Sequence, residues 1–300
     1  MKAPTLPYFL FNILLLIQSL ALTTPIAHKS ASCAKLNPRI EWRSLSEVQR
    51  EKWISSVKCL GSIKHRRLSH IAQDVLLDGK HSIYDDFSYA HNAMQKSAHS
   101  NPYFLPWHRW FLYLFDTATR EICGYKGPTP YWDWSQDSVS LLDSPVFDSS
   151  PSHGLGESGD CSEDRDCTIT SGALVAPFFS LSFPIPHVLR RNLSLNTWAD
   201  LGGGAHNQTI GAETVHNITS SFAGDFFRFQ HKLTLMHNHI HNFVGGDLAG
   251  VCPKPISEET CEDNDYAGYT PNDPIFSLSI DIISGKILFL KILTAFRESL

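Results

Sequence analysis

The stretch from Trp107 to Ile122 constrains the fold of this chain more than any other. Trp107, Trp110, Phe111, Leu114, Phe115, Ala118 and Ile122 recur at intervals of three and four, and Gly124 follows as a stop signal. That spacing puts an apolar stripe along one face of an α-helix, a pattern a strand of period two cannot satisfy. A helix with such a stripe must bury it against other elements. His108 stands at its start, between Trp107 and Arg109, so the helix carries an imidazole into whatever it packs on. Two further segments read as helical. Arg39 to Leu60 has Trp42, Leu45, Val48, Trp53, Val57 and Leu60 at helical intervals, with Ser44-Leu-Ser-Glu47 as a capping box. Phe222 to Val244 resumes the pattern, and Gly245-Gly246 ends it. From Asp143 to Asn217 the composition shifts to Ser, Gly, Pro, Asp and Asn, and Pro253 to Pro274 is again turn-rich, so long irregular excursions are expected there. With 300 residues, 42% of them hydrophobic, and no internal repeat, one mostly helical domain is expected.

The chain has 15 histidines, and two groups stand out. His91, His99 and His108 are spaced by eight and nine positions, so a helix, a loop and a second helix could bring their rings to one ion. A three-ligand metal site keeps a position open for a small molecule. The second group is Met236-His-Asn-His-Ile-His241, where His237 and His241, four residues apart, share one helix face while His239 points elsewhere. His28, His65, His70, His81, His153, His187, His206, His216, His231 and His239 read as surface or satisfied core residues. Ligation by imidazole alone suits copper, zinc, nickel or iron, so spacing cannot name the metal. A zinc hydrolase is disfavoured, because there is no HExxH and no Glu or Asp within the HNHIH segment to act as a base.

The net charge of -5, with basic residues dispersed apart from Lys64-His65-Arg66-Arg67, argues against a nucleic-acid partner. Residues 1–22, with Lys2 ahead of an apolar run from Tyr8 to Leu22, read as a secretory signal peptide, too short for a stable membrane span. A secreted, extracellular location follows. The sequons at Asn192, Asn207 and Asn217 suit a glycosylated loop of an exported protein. The seven cysteines have no CxxC spacing and read as disulfide partners with one left over. Cys252 with Cys261, and then Cys33 with Cys59, are the pairings expected, although spacing does not fix connectivity.

The segment His99-Ser-Asn-Pro-Tyr-Phe-Leu-Pro-Trp-His108-Arg109 resembles the first copper signature of the type 3 copper proteins: tyrosinases, catechol oxidases and hemocyanins. Pro130-Tyr-Trp-Asp-Trp134, His237-Asn-His-Ile-His241-Asn-Phe-Val-Gly-Gly246 and Pro271-Asn-Asp-Pro-Ile-Phe276 follow in the family's order, and the spacing is most similar to the short secreted fungal polyphenol oxidases. The resemblance implies a mainly α fold, in which a central four-helix bundle with long irregular loops holds two copper ions and spans residues 33–276. It implies that His91, His99 and His108 bind the first copper and that His237 and His241 give two of three ligands to the second. Asn238 matches a position that orients a water or base for monophenol deprotonation. The partners implied are phenolic substrates and dioxygen, with o-diphenols oxidised to o-quinones and monophenols hydroxylated in the tyrosinases.

The chain departs from the family in four places. Asp116 stands where Glu is usual, a tolerable shortening, and Ser97 where some relatives carry a thioether-forming cysteine. Val188 stands where short relatives often have a cysteine, which accounts for the odd thiol. After Phe276 the sequence reads Ser-Leu-Ser-Ile280, with Ile280 where the sixth copper ligand belongs, and the apolar tail 277–300 is unlike the family. The tail reads as an alternative splice or read-through product. The fourth helix of the bundle is therefore the one left in question. The competing function is a secreted copper-binding glycoprotein without oxidase activity.

Overall fold

A computed structural model of the chain describes residues 38–64, 80–99, 101–162, 165–195, 206–222, 224–254 and 266–279. The leader at 1–22, Cys33, Cys261, Ile280 and the remaining tail lie outside the described residues. The described residues all belong to one compact unit that starts at Pro38.

The expected single helix from Arg39 to Leu60 is three elements. Strand β1 (Ile40–Glu41) pairs in parallel with β2 (Pro130–Tyr131), a 3-10 turn spans Trp42–Ser44, and helix α1 runs Glu47–Ser62. The capping box lies two residues past the one read from the sequence. The Ser46 hydroxyl accepts from the Gln49 N–H, and Gln49 Oε1 accepts from the Ser46 N–H at 2.9 Å. Ser44 cannot serve, because the 3-10 turn already takes it up. Trp42, Trp53, Val57 and Leu60 are buried as expected, while Val48 faces solvent.

Helix α2 (Ile83–Ala98) starts on a second capping box between Ser82 and Asp85 and carries His91. Helix α3 (Phe104–Glu121) is the helix foreseen around His108, begun three residues earlier. Its stripe is rotated from the expected one. Phe104, Leu105, His108, Phe111, Leu112, Phe115, Ala118 and Thr119 are buried, whereas Trp110 is 57% and Leu114 41% exposed. The sequence stripe merged two adjacent faces, and the inward turn of His108 decides between them. The short helices α4 (His206–Ile210) and α5 (Ala212–Ser221) precede α6 (Phe226–Val244), which Asp225 caps and which Gly245, at φ 66°, terminates. A side chain at Gly245 would meet the Asn192 backbone, so only glycine satisfies both the turn and the close approach. Helix α7 (Ile275–Ser279) follows a 3-10 turn at Tyr266–Asn272.

The architecture is mainly α. The long helices among the described residues are α1, α2, α3 and α6, and α2 packs on α1, α3 and the 3-10 turn ahead of α7. The stretch between α3 and α6 is irregular as expected, held by isolated bridges such as Asp160 to Thr168 and Leu181 to His187. No helix among the described residues is long and apolar enough to cross a membrane.

Cys59 pairs with Cys123, tying the end of α1 to the end of α3, so the expected Cys33–Cys59 bond is corrected. Cys161 pairs with Cys167. Packing of α1 on α3 brings Cys59 and Cys123 to a Cα separation of 6.0 Å, a proximity that sequence spacing cannot register. Cys252 is disulfide-bonded, and Cys261, its expected partner, lies outside the described residues.

Candidate metal centre

The first histidine group converges. His91 lies mid-helix on α2, His99 caps the C-terminus of α2, and His108 lies one turn into α3. Their ligand atoms are all within 4.8 Å of one another. His91 and His108 have no solvent exposure. The ring protons are placed by the backbone: His99 Nδ1 is 3.0 Å from the Gln95 carbonyl and His108 Nδ1 is 2.7 Å from the Phe104 carbonyl. A carbonyl only accepts, so each Nδ1 carries the proton and each Nε2 keeps its lone pair.

His91 Nε2 and His108 Nε2 face each other at 3.4 Å. That is about the edge of a tetrahedron around an ion ~2.0–2.1 Å from each nitrogen. Burial, then the neighbouring His99, push the His108 imidazolium down to about 3, against the opposing Phe104 bond. The ring is therefore neutral at any physiological pH, as a metal ligand must be.

His237 and His241 meet edge to face along α6 with ring centroids 4.1 Å apart. His237 is also 5.7 Å from Phe104 of the first group. His241 hydrogen-bonds the Leu248 backbone, and its Nε2 has no hydrogen-bond partner among the described residues; nor has His237 Nδ1. Burial holds the His241 ring down at about 4, and burial with the other four imidazoles holds His237 well below the usual range. An orphaned buried nitrogen costs about 1–3 kcal/mol, a cost that a bound metal ion removes. The donor set fits copper: neutral imidazole nitrogens, converging, in an aromatic enclosure. His239 is buried as well, and Asn238 is exposed beside His237.

Phe276 of α7 joins the two groups. Its ring lies 5.0 Å from His91, 6.0 Å from His241 and 6.1 Å from His108, and Trp107 and Phe111 complete the wall. Past Phe276, where the fourth helix was left in question, the chain is helical and buried as far as Ser279. Asp273 starts that helix, accepting the Ile275 N–H at 2.9 Å. Arg191 fixes Asp273 in turn through Nε and Nη2, at 2.6 and 2.8 Å, and also reaches the Leu155 and Gly156 carbonyls. Arg191 and Asp273 are both fully buried.

Next door, Arg190 binds Asp247 just past α6, where burial raises the Asp247 carboxyl but Arg190 and His187 outweigh it and hold it below the ordinary range. Arg39 clamps the same region from the N-terminal side. It donates to the Pro130 and Ser277 carbonyls, and the shorter Asp116 still reaches it at 3.6 Å. The sequence reading passed over Arg190, Arg191 and Asp273 as site residues. The signal was present in two adjacent arginines within an apolar run and an Asp-Pro helix start.

The common central domain of tyrosinase matches residues 81–279, ending one residue before Ile280. A tyrosinase-like protein of Diaporthe leptostromiformis, phomQ1', is 36% identical over 275 residues, covering 85% of this chain and 63% of its own length. A second, phomQ2, is 31% identical over 233 residues, covering 74% of this chain and 54% of its own length. An N-acetyl-6-hydroxytryptophan oxidase of Emericella nidulans is 38% identical over 141 residues, covering 46% of this chain and 34% of its own. This chain thus spans roughly half to two thirds of the length of the first two relatives. Among solved structures, a polyphenol oxidase variant from Thermothelomyces thermophila superposes with a TM-score of 0.60 at 25% identity, covering 84% of this chain and 69% of that one.

Proposed function

Because the chain belongs to the tyrosinase family of copper oxidoreductases, we propose that it oxidises hydroxylated aromatic rings with dioxygen at a copper centre built by His91, His99, His108, His237 and His241. The observation that carries this reading is the gathering of the three first-group nitrogens within 4.8 Å, two of their rings fixed by carbonyls. Copper, when bound, supplies the one-electron chemistry that lets dioxygen accept electrons from a phenol.

The chain's own residues supply the rest. The Gln95 and Phe104 carbonyls orient two ligand rings. Phe276, Trp107 and Phe111 exclude water from one side. Arg191 and Asp273 hold the helix that carries Phe276. We assign Asn238, exposed next to His237, the role of orienting a water or base that removes the phenolic proton. The relative named for N-acetyl-6-hydroxytryptophan supports a hydroxyaryl substrate class. Two copper ions per chain are expected by family membership, and secretion is supported by the leader, the exposed Asn192 and Asn217 sequons and the disulfides.

A second reading, a secreted copper-binding glycoprotein without oxidase activity, is favoured by one observation: among the described residues, no third metal-binding side chain gathers with His237 and His241. Oxygen uptake by the copper-loaded chain separates them. Uptake with catechol alone assigns a catechol oxidase, and uptake with tyrosine as well assigns a tyrosinase. No uptake with either, at measured copper loading, overturns the oxidase and leaves the second reading.

A further inference from the structure

The two histidine groups are unequal as ligand sets, and we propose that they load unequally: the His91, His99 and His108 triad holds one copper ion tightly, while His237 and His241 take a second weakly and reversibly. This rests on the copper reading above and concerns how much metal the chain keeps, and where.

The triad is prepared for an ion. Three donors lie within 4.8 Å, drawn from two helices and a helix cap, and carbonyls lock two of the rings in the ligating tautomer. The pair offers two donors one helical turn apart on a single helix. No third His, Cys, Asp or Glu among the described residues assembles with it. Residues 280–300 contain no His, Cys or Met, the donors that suit copper.

Losing an outer partner of a ligand lowers metal affinity about 10–100-fold. Lacking a ligand altogether costs more, which sets the two dissociation constants more than about 100-fold apart. At low free copper the chain therefore carries one ion with three nitrogen donors and an open position. The pair fills only as copper rises, and any chemistry requiring both ions follows the free copper concentration.

The test is an anaerobic titration of the metal-free full-length chain with cuprous ion against a chromophoric chelator, with X-ray absorption on the product carrying one equivalent. The expected result is one tight equivalent with three nitrogen donors, kept by His237→Ala and His241→Ala. It is lost in His99→Ala and in the bulkier His99→Gln, with far-UV circular dichroism showing that at least one of these is folded. A second equivalent enters at free copper more than about 100-fold higher and disappears in His237→Ala. Two equivalents closer in affinity than that overturn the proposal, as does loss of the tight ion in His237→Ala. If the unaltered chain binds no copper, the copper reading itself falls, an outcome distinct from both.

Discussion

Replacing Asp273 by asparagine removes one charge and almost no volume, so its effect isolates the buried ion pair that starts α7. In the native chain Arg191 and Asp273 have no solvent exposure and meet through two hydrogen bonds, and Asp273 also accepts the Ile275 N–H. Asparagine can still accept that N–H and one guanidinium bond. It cannot neutralise the guanidinium, whose only other described partners are the Leu155 and Gly156 carbonyls. Breaking a buried pair from one side costs about 3–5 kcal/mol, because an uncompensated charge remains in the interior. Against a total stability of about 5–15 kcal/mol this is a large fraction. With a urea slope of about 2–3 kcal/mol/M, the midpoint of the metal-free chain should fall by about 1–2 M at unchanged slope. Arg191→Met should cost a similar amount by stranding the carboxylate. A midpoint shift under about 0.3 M for Asp273→Asn, again at unchanged slope, would refute the reasoning, since such a shift is under about 1 kcal/mol. It would mean that α7 is held by packing and not by this pair.

Three more outcomes follow. The metal-free chain should lose stability as pH falls below 6.5: unfolded histidines protonate there, whereas the folded His241 and His108 rings stay neutral to about 4 and about 3. The unfolded state binds more protons throughout that window, so the slope approaches about 1.4 kcal/mol per pH unit for each ring. Urea midpoints that stay flat from pH 6.5 to 5 would contradict it. Phe276→Ala should cost about 3–5 kcal/mol in thermal or urea melts, because it empties the space between His91, His108 and His241; a loss under 1 kcal/mol would show that the ring does not pack as described. Ile280→His should raise the tightly bound copper from one ion to two per chain by elemental analysis, and an unchanged ratio would remove position 280 as the place of the sixth ligand.

The sequence by itself outlined three of the four long helices, α1, α3 and α6, and named the candidate ligand histidines. The apolar period around His108, the i,i+4 pair at His237 and His241, and Gly245 as a stop are local properties, set by which side chains share a helix face and by which residue tolerates a positive φ. The family motifs added the metal. Tertiary structure decided what depends on partners distant in sequence. It turned α3 so that Trp110 faces solvent and His108 the interior. It joined Cys59 to Cys123, and it placed Arg191 on Asp273 across 82 residues. A periodic stripe fixes a helix face to within one row of side chains, but the row that turns inward is set by the neighbouring helices. A buried charge leaves only a faint local trace, such as two arginines in an apolar run, because the partner that makes its burial tolerable is brought to it only when the chain folds.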